Sequence, residues 1–155
     1  MKKITALFAL AVFIFTGCKK EKKEEIDTAY PEIVTTPSSF PQQCGVLTRG
    51  QTATIRATFS DNKELGAYSL DIHNNFDQHN HSTEISSCTF DAKKAPIKPF
   101  LFLQDYNIPA GSKRYEATAQ ISVPADIDSG DYHFMIRLTD KEGWQTIKGL
   151  SIKIQ

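Results

Sequence analysis

Three of the four histidines in the chain lie within one segment, "LDIHNNFDQHNH", which runs from Leu70 to His81. His73, His79 and His81 alternate there with asparagine and aspartate. Neutral imidazole is the commonest protein ligand for borderline divalent ions, and zinc takes three or four such groups. The segment therefore favours a metal site, although the same residue types also make an ordinary solvated loop.

Two carboxylates accompany these histidines at a fixed spacing. Asp71 precedes His73 by two residues, and Asp77 precedes His79 by two residues. Residues two apart on a strand share one face, so Asp71 is either a metal ligand or a group that orients His73. Imidazole and carboxylate ligands suit both zinc and copper, and copper(II) binds such sites most tightly. We therefore predict a zinc or copper site.

The elements that must position these residues are strands. Short segments alternate apolar and polar residues between turn signals, and no long helical period is visible, which predicts an all-β sandwich of about seven strands. The residues predicted to face the core are Ala53, Ile55, Ala57, Phe59, Tyr68, Leu70, Ile72, Tyr115, Ala117, Ala119, Ile121, Val123, Tyr132, Phe134, Ile136 and Leu138. The run "KPFLFLQDY" is apolar on both faces, so we expect it to be a central strand or to be covered by the preceding loop.

The most specific fold signal is "DIDSGDYHF". Asp128, Gly130 and Tyr132 resemble the D-x-G-x-Y-x-C run of immunoglobulin domains, with Phe134 at the position of the cysteine. In that pattern the tyrosine hydroxyl bonds to backbone just upstream, which is known as the tyrosine corner. The resemblance implies an immunoglobulin-like or fibronectin-like sandwich, and a jelly roll is the main alternative.

This fold would bring the fourth histidine to the other three. "GAYSLDIH" would be strand C and "DYHFMIRL" strand F, which are antiparallel neighbours in one sheet. The end of C then lies beside the start of F, with His73 and His133 both on the outer face and about 5 Å apart at Cβ. We therefore predict that all four histidines converge. The alternative is that His133 is simply an exposed strand residue.

The three cysteines have different expected roles. Cys18 ends the stretch "FTGC", which resembles the lipobox of bacterial lipoproteins, where the cysteine is acylated. Cys44 and Cys88 are an even pair in an oxidising compartment, so a disulfide is the simplest prediction. The rival interpretation makes Cys88, seven residues beyond His81, a soft metal ligand.

The N-terminus predicts an envelope location. Lys2 and Lys3 precede an apolar run that is too short to cross a bilayer as a helix, so residues 1–17 are expected to be a lipoprotein signal peptide. The charged residues 18–29 would form a lipidated tether, and residues 30–155 one domain. We expect an outer-membrane lipoprotein on the periplasmic or surface face, anchored in the membrane by its N-terminal lipid.

The charge balance argues against nucleic acid as a partner. The chain has 18 basic and 18 acidic side chains, and loss of Lys2 and Lys3 with the signal peptide leaves a net charge of about −2. No basic patch is left for phosphates.

We expect the protein to be a monomer.

Three functions follow from these features. The first is a lipid-anchored protein that binds zinc or copper, with an envelope protein such as an outer-membrane transporter as a candidate partner. The second is a recognition module without metal, which would bind glycan or protein through Phe76, Tyr106 or Trp144. The third is a metal hydrolase with Asp77 or Glu84 as base. The sequence has no nucleophile–base set, phosphate-binding loop or zinc-protease helix motif, so we do not expect an enzyme.

The mature chain also resembles a family of small Bacteroidota-type lipoproteins of unknown function. The residues that carry the resemblance are the lipobox, the "PEI" at Pro31–Ile33, "LGAYSLDIHNNFD" at Leu65–Asp77 and "GDYHFMIRLTDKEG" at Gly130–Gly143. The resemblance implies an immunoglobulin-like sandwich and an envelope location, but it implies no activity.

Overall fold

The computed structural model describes residues 26–81 and 88–155, which contain strands and loops but no helix. In chain order the strands are β1 (Glu32–Val34), β2 (Gly45–Leu47), β3 (Thr52–Ser60), β4 (Leu65–Asn74), β5 (Phe102–Asn107), β6 (Arg114–Ser122), β7 (Gly130–Asp140) and β8 (Gln145–Ile154). Nothing within these two ranges could span a bilayer as a helix.

The strands form two sheets. The smaller has the order β1-β3-β6, and the larger has the order β2-β8-β7-β4-β5. Neighbours are antiparallel except β2 and β8, which run parallel. The arrangement confirms the predicted all-β sandwich, with eight strands in place of about seven. It also places β4 beside β7, as the predicted pairing of strands C and F requires.

The core lies between the two sheets and contains the predicted inward residues. Phe59 of β3, Leu70 and Ile72 of β4, and Tyr132 and Phe134 of β7 are at most 1% exposed. Burial of each side chain of this size contributes about 1.5–3 kcal/mol of transfer free energy. Buried positions alternate regularly along β6 and along β4 from Tyr68, which fixes the outward direction of the polar residues between them. In β3 the alternation is interrupted at Thr58, which is also buried.

The tyrosine corner is present at the start of β7. The hydroxyl of Tyr132 donates to the backbone oxygen of Asp128 at 2.6 Å and accepts from the N–H of Phe100 at 3.2 Å. Because Tyr132 is fully buried, both bonds replace water contacts that the hydroxyl has lost. They fix the start of β7 against the end of the loop that follows β4.

The prediction for "KPFLFLQDY" is wrong. Its strand, β5, is the edge of the larger sheet, and Leu101 and Leu103 are 70% and 71% exposed. Phe100 is buried and Phe102 packs against the core, so one face of the run is used as expected. An apolar run on both faces does not by itself distinguish a central strand from an edge strand that carries exposed leucines.

Candidate metal centre

His73 and His133 are direct cross-strand partners. The register of β4 and β7 pairs them, and their ring centroids are 5.2 Å apart. Both project from the outer face because Ile72 and Phe134, their pleat neighbours, face the core. The predicted adjacency of these two histidines is confirmed.

A turn immediately after β4 returns the other two histidines to this position. The N–H of Gln78 donates to the backbone oxygen of Asn75 at 3.1 Å, and Gln78 has a positive φ of 59°. This left-handed conformation costs a non-glycine residue about 1–2 kcal/mol, so surrounding contacts must stabilise it. The chain reverses here, and the rings of His79 and His81 lie 4.7 and 4.6 Å from that of His133.

These four residues form the histidine cluster, defined as His73, His79, His81 and His133. One ring nitrogen from each lies within 4.8 Å of the corresponding nitrogen of every other member. Nε2 of His73 and Nε2 of His81 are 3.1 Å apart. Two nitrogens at 2.0–2.1 Å from a tetrahedral zinc ion are about 3.3–3.4 Å apart, so this pair is already close to the separation that zinc requires.

Asp71 and Asp77 lie behind the cluster and do not belong to the group of converging nitrogens. Oδ1 of Asp71 is 2.5 Å from Nδ1 of His73, and Oδ1 of Asp77 is 2.6 Å from Nδ1 of His79. Each carboxylate fixes a ring and leaves Nε2 for an ion. The contact with His79 lowers the pKa of Asp77. Both aspartates therefore lie where a carboxylate that orients a histidine ligand would lie.

His133 is fully buried, although it faces outward from the sheet. Its Nε2 lies 3.2 Å from the backbone oxygen of His79, and because a carbonyl can only accept, Nε2 is the donor in this bond. The same bond attaches the histidine loop to β7. His133 is therefore not the exposed strand residue of the alternative interpretation, because the loop covers it.

The loop between β4 and β5 contacts β7 and the residues that immediately precede β7. Lys94 donates to the backbone oxygen of Ser129 at 2.5 Å, and its ammonium lies 4.4 Å from the ring centroid of Phe76. The N–H of Asp91 donates to Oδ2 of buried Asp131 at 2.7 Å. These contacts hold Phe76, Asp91 and Lys94 against the start of β7.

A disulfide joins Cys44 to Cys88, with their Cα atoms 5.4 Å apart. The N–H of Cys44 donates to the backbone oxygen of Ser151 at 2.8 Å, and Ser151 pairs with His133 across β7 and β8. The disulfide therefore connects the long loop to the strand beside the cluster. The rival interpretation of Cys88 as a metal ligand is not supported, because its sulfur is bonded to that of Cys44. Cys18 and Glu84 lie outside the described residues.

A groove of about 250 Å³ leads from the cluster along the outer face of the larger sheet. Its lining consists of Ser69, Asp71, His73, His81, Leu103, Met135, Arg137 and Ile147. His73 and His79 retain side-chain exposures of 24% and 38%. A small ion can therefore reach the imidazoles from solvent.

The aromatic residues considered for recognition do not form a shared exposed surface. Phe76 is 3% exposed and packs edge-on against Tyr132. Tyr106 stacks on Tyr68 with ring centroids 4.8 Å apart. Trp144 is half-buried, and its Nε1 donates to the backbone oxygen of Asp27 at 2.9 Å. All three have structural contacts that account for their positions.

Two supporting residues were missed from the sequence. Asp131 precedes His133 by two residues, which repeats the spacing of Asp71 and His73, and this repeat was a usable signal. The structure gives Asp131 a different role, since its carboxylate holds Asp91 and lies 3.5 Å from Lys153. Lys94 had no signal, because nothing in the sequence indicates that it reaches Phe76.

Comparison with known proteins assigns a family. A family model described as a domain of unknown function, DUF4625, matches residues 16–155. The chain therefore belongs to this family, which agrees with the resemblance to a family of unknown function. No curated protein matches the chain.

Proposed function

We propose that this DUF4625 domain is a lipid-anchored envelope protein that binds one divalent transition-metal ion, zinc or copper, in the histidine cluster. The observation that carries the proposal is the convergence of every histidine of the chain on one point, with nitrogens within 4.8 Å of one another. Two come from neighbouring strands and two from a loop, so the convergence depends on the tertiary fold.

Charge supports a divalent ion. Four neutral imidazoles bring no charge, and a divalent ion would add two positive charges at a largely buried position. Asp71 and Asp77 lie directly behind His73 and His79 and supply two negative charges. Such carboxylate–histidine pairs fix the ring orientation and raise the basicity of the ligating nitrogen.

The arrangement suits exchange of the ion. The groove opens beside His73 and His81, and His79 stays partly exposed, so the ion would not be enclosed by protein. The ligands are all nitrogen, which serves zinc and copper(II) alike, and copper(II) would be preferred in direct competition. The protein would capture or buffer the ion at the envelope and release it to a partner such as an outer-membrane transporter.

Calorimetric titration of the full chain tests the metal site, in a Cys18→Ser background so that no free thiol competes. We expect one zinc or copper ion per chain. Replacing His79 and His81 together by alanine should weaken zinc binding by about 100-fold or more, which corresponds to about 2.7 kcal/mol.

The matched control is Asn80→Ala, which changes an exposed residue between the two histidines and should leave affinity unchanged. Stoichiometry well below one ion per chain, or equal affinity in the histidine variant and the control, would refute the proposal.

The membrane anchor is tested separately. If Cys18 is acylated, the wild-type protein should fractionate with the outer membrane and incorporate radiolabelled palmitate. Cys18→Ser should lose the label. Equal labelling of both proteins would exclude lipidation at this residue while leaving the metal site untouched.

A second candidate function is recognition of a partner protein without metal, and one observation favours it. Leu101 and Leu103 are exposed at the free edge of β5, and Ile97 is 91% exposed. An edge strand with exposed apolar residues is suited to accepting a strand or loop from another protein. A photo-crosslinker at position 103 should then give a discrete product, which a crosslinker at Glu116 of β6 does not give. Absence of that product together with stoichiometric zinc binding would favour the metal function alone.

A further inference from the structure

A second group of ligands lies at the opposite end of β7 from the histidine cluster. It consists of Asp27, Asp140 and Glu142, and one carboxylate oxygen from each lies within 4.8 Å of those of the other two. We call these residues the carboxylate cluster. Asp140 ends β7, Glu142 lies in the turn to β8, and Asp27 lies in the segment before β1. Three separate parts of the chain therefore meet here.

Two of these carboxylates are buried with an oxygen that has no partner. Asp27 is 5% exposed and Asp140 is 4% exposed. Oδ2 of each is buried without a hydrogen-bond partner, and neither residue forms an ion pair with any part of the chain that the structure describes. A buried carboxylate oxygen without a hydrogen-bond or ionic partner is destabilising, because it has lost its contacts with water and gained none in return. Two such oxygens at one place therefore point to a bound cation.

The other oxygen of each carboxylate is fully used. Oδ1 of Asp140 accepts from the N–H groups of Gly143 and Trp144 at 2.6 and 2.7 Å. Oδ1 of Asp27 accepts from the N–H of Ala29 at 3.0 Å and from the side chain of Asn62 at 2.9 Å. These bonds fix both carboxylates and leave only Oδ2 available.

We propose that Asp27, Asp140 and Glu142 bind a calcium ion. All the ligands are oxygens, which hard cations prefer, and two oxygens bound to one calcium at about 2.4 Å can be at most about 4.8 Å apart. Magnesium retains several waters and usually takes only one or two carboxylates, whereas three carboxylates from separate segments form the irregular oxygen cage that calcium accepts. The ion would tie the N-terminal segment to the β7–β8 hairpin.

The calcium site is independent of the proposed histidine function. The two clusters differ in donor atoms. His133 and Asp140 are seven residue steps apart along β7, which corresponds to about 23 Å. Two existing contacts show that the N-terminal segment already packs on the hairpin. The ring of Tyr30 lies 4.9 Å from that of Trp144, and the hydroxyl of Thr146 donates to the backbone oxygen of Pro31 at 2.5 Å.

Trp144 provides a direct spectroscopic test, because it is the single tryptophan of the chain and its indole donates to the backbone of Asp27. Terbium replaces calcium at oxygen sites and emits when a nearby tryptophan is excited. We expect the full chain to sensitise terbium emission, and we expect calcium to compete with a dissociation constant of about 0.1–1 mM, as in extracellular calcium modules.

Two variants locate the ion. Glu142→Gln changes an exposed side chain and should not disturb folding, and it should weaken calcium competition at least tenfold. Asp140→Asn keeps an oxygen for the N–H groups of Gly143 and Trp144 but removes the charge, and it should have the same effect. The matched control, Glu116→Gln on the exposed face of β6, should behave as wild type.

The histidine variant separates this site from the metal centre. His79→Ala with His81→Ala should retain terbium emission and calcium competition in full. Absence of calcium-competed emission in the wild-type chain would overturn the proposal. So would Glu142→Gln with the wild-type dissociation constant. Loss of the signal in the histidine variant would place the ion at the other end of β7 and would overturn it as well.

Discussion

The two ends of β7 offer opposite ligand chemistry. At its start, four imidazoles meet, and at its end, three carboxylates meet. The first group is closed by the loop between β4 and β5, which is joined to Cys44 by a disulfide and to Asp131 and Ser129 by hydrogen bonds. The second is closed by the segment before β1, which is held by hydrogen bonds and aromatic packing alone.

This difference indicates how each end depends on its ligand. Nε2 of His73 and Nε2 of His81 are already close to the separation expected around a metal ion, so the proposed ion should add little to the order of the histidine end. Asp27 and Asp140 each have a buried oxygen without a partner, so removal of the proposed calcium should weaken the carboxylate end most. The two proposals together describe one sheet with a preformed site and a site whose order depends on its ion.

The largest effect should come from the disulfide, which is present only at the histidine end. Replacing Cys44 and Cys88 by serine releases a link between residues 44 positions apart, which is worth about 4 kcal/mol in the chain-entropy model. Urea unfolding should show most of this loss. Zinc affinity should also fall, because the loop carrying His79 and His81 is less restrained.

Calcium competition in the same variant is the control for this comparison. It should stay at the wild-type value, since no contact from Cys88 reaches the carboxylate end. Equal loss of zinc and calcium binding would mean that the two ends are not independent.

The supporting carboxylates should give the next largest effect. Asp71→Asn should weaken zinc binding by about 10–100-fold, as is typical when a carboxylate behind a metal-bound histidine is changed. Asp77→Asn should cost less, because the Asp77 side chain is 73% exposed against 40% for Asp71. Calorimetric titration of the two variants with zinc measures which loses more affinity. Asp105→Asn, on exposed β5, is the matched control. Equal effects of Asp71 and Asp105 would contradict the supporting role.

Tyr132→Phe should have a smaller effect. It removes the hydroxyl that bonds Asp128 and Phe100 at the start of β7, with a cost of about 1–3 kcal/mol for the partners left behind. Thermal unfolding should show this loss, and hydrogen exchange should increase near Phe100. Terbium emission through Trp144 should not change. A change there would show that strain at one end of β7 reaches the other.

The smallest effect is a pH dependence at the histidine end. N–H groups of Ile97 and Lys98 bond Oδ2 of Asp128 and lower its pKa below the usual 3.8. A depressed pKa in the folded state contributes stability that is present above the unfolded value and is lost as pH falls through the folded one. The protection of the Ile97 and Lys98 amides, relative to intrinsic exchange at each pH, should therefore fall only below about pH 4. Asp128→Asn should lose this dependence, and an unchanged profile in that variant would assign it to another group.

Much of the fold and the convergence of the four histidines could be predicted from the sequence. Period-two alternation fixed which residues of β3, β4, β6 and β7 face the core, and the tyrosine motif identified β7. From these two facts the pairing of His73 with His133 follows, because neighbouring strands and facing direction determine it. This part of the prediction depends only on local motifs and on the period-two pattern of the strands.

The features that could not be predicted depend on contacts between segments that show no periodic pattern. Full burial of His133 results from the return path of the loop, which is set by Lys94, Asp91 and the disulfide. Asp27 lay within the predicted tether, whereas the structure packs it against Trp144. When two distant irregular segments pack together, neither segment shows a periodic pattern that reveals the contact. The carboxylate cluster and the edge position of β5 could therefore not be derived from the sequence.

The position of Asp27 also bears on how the molecule stands relative to a membrane. The part of the chain that the structure describes begins beside Trp144, at the pole opposite the imidazoles. If Cys18 is acylated as proposed, the lipid would be connected to the domain at that pole. The histidines would then lie at the end of the sandwich farther from the point of attachment.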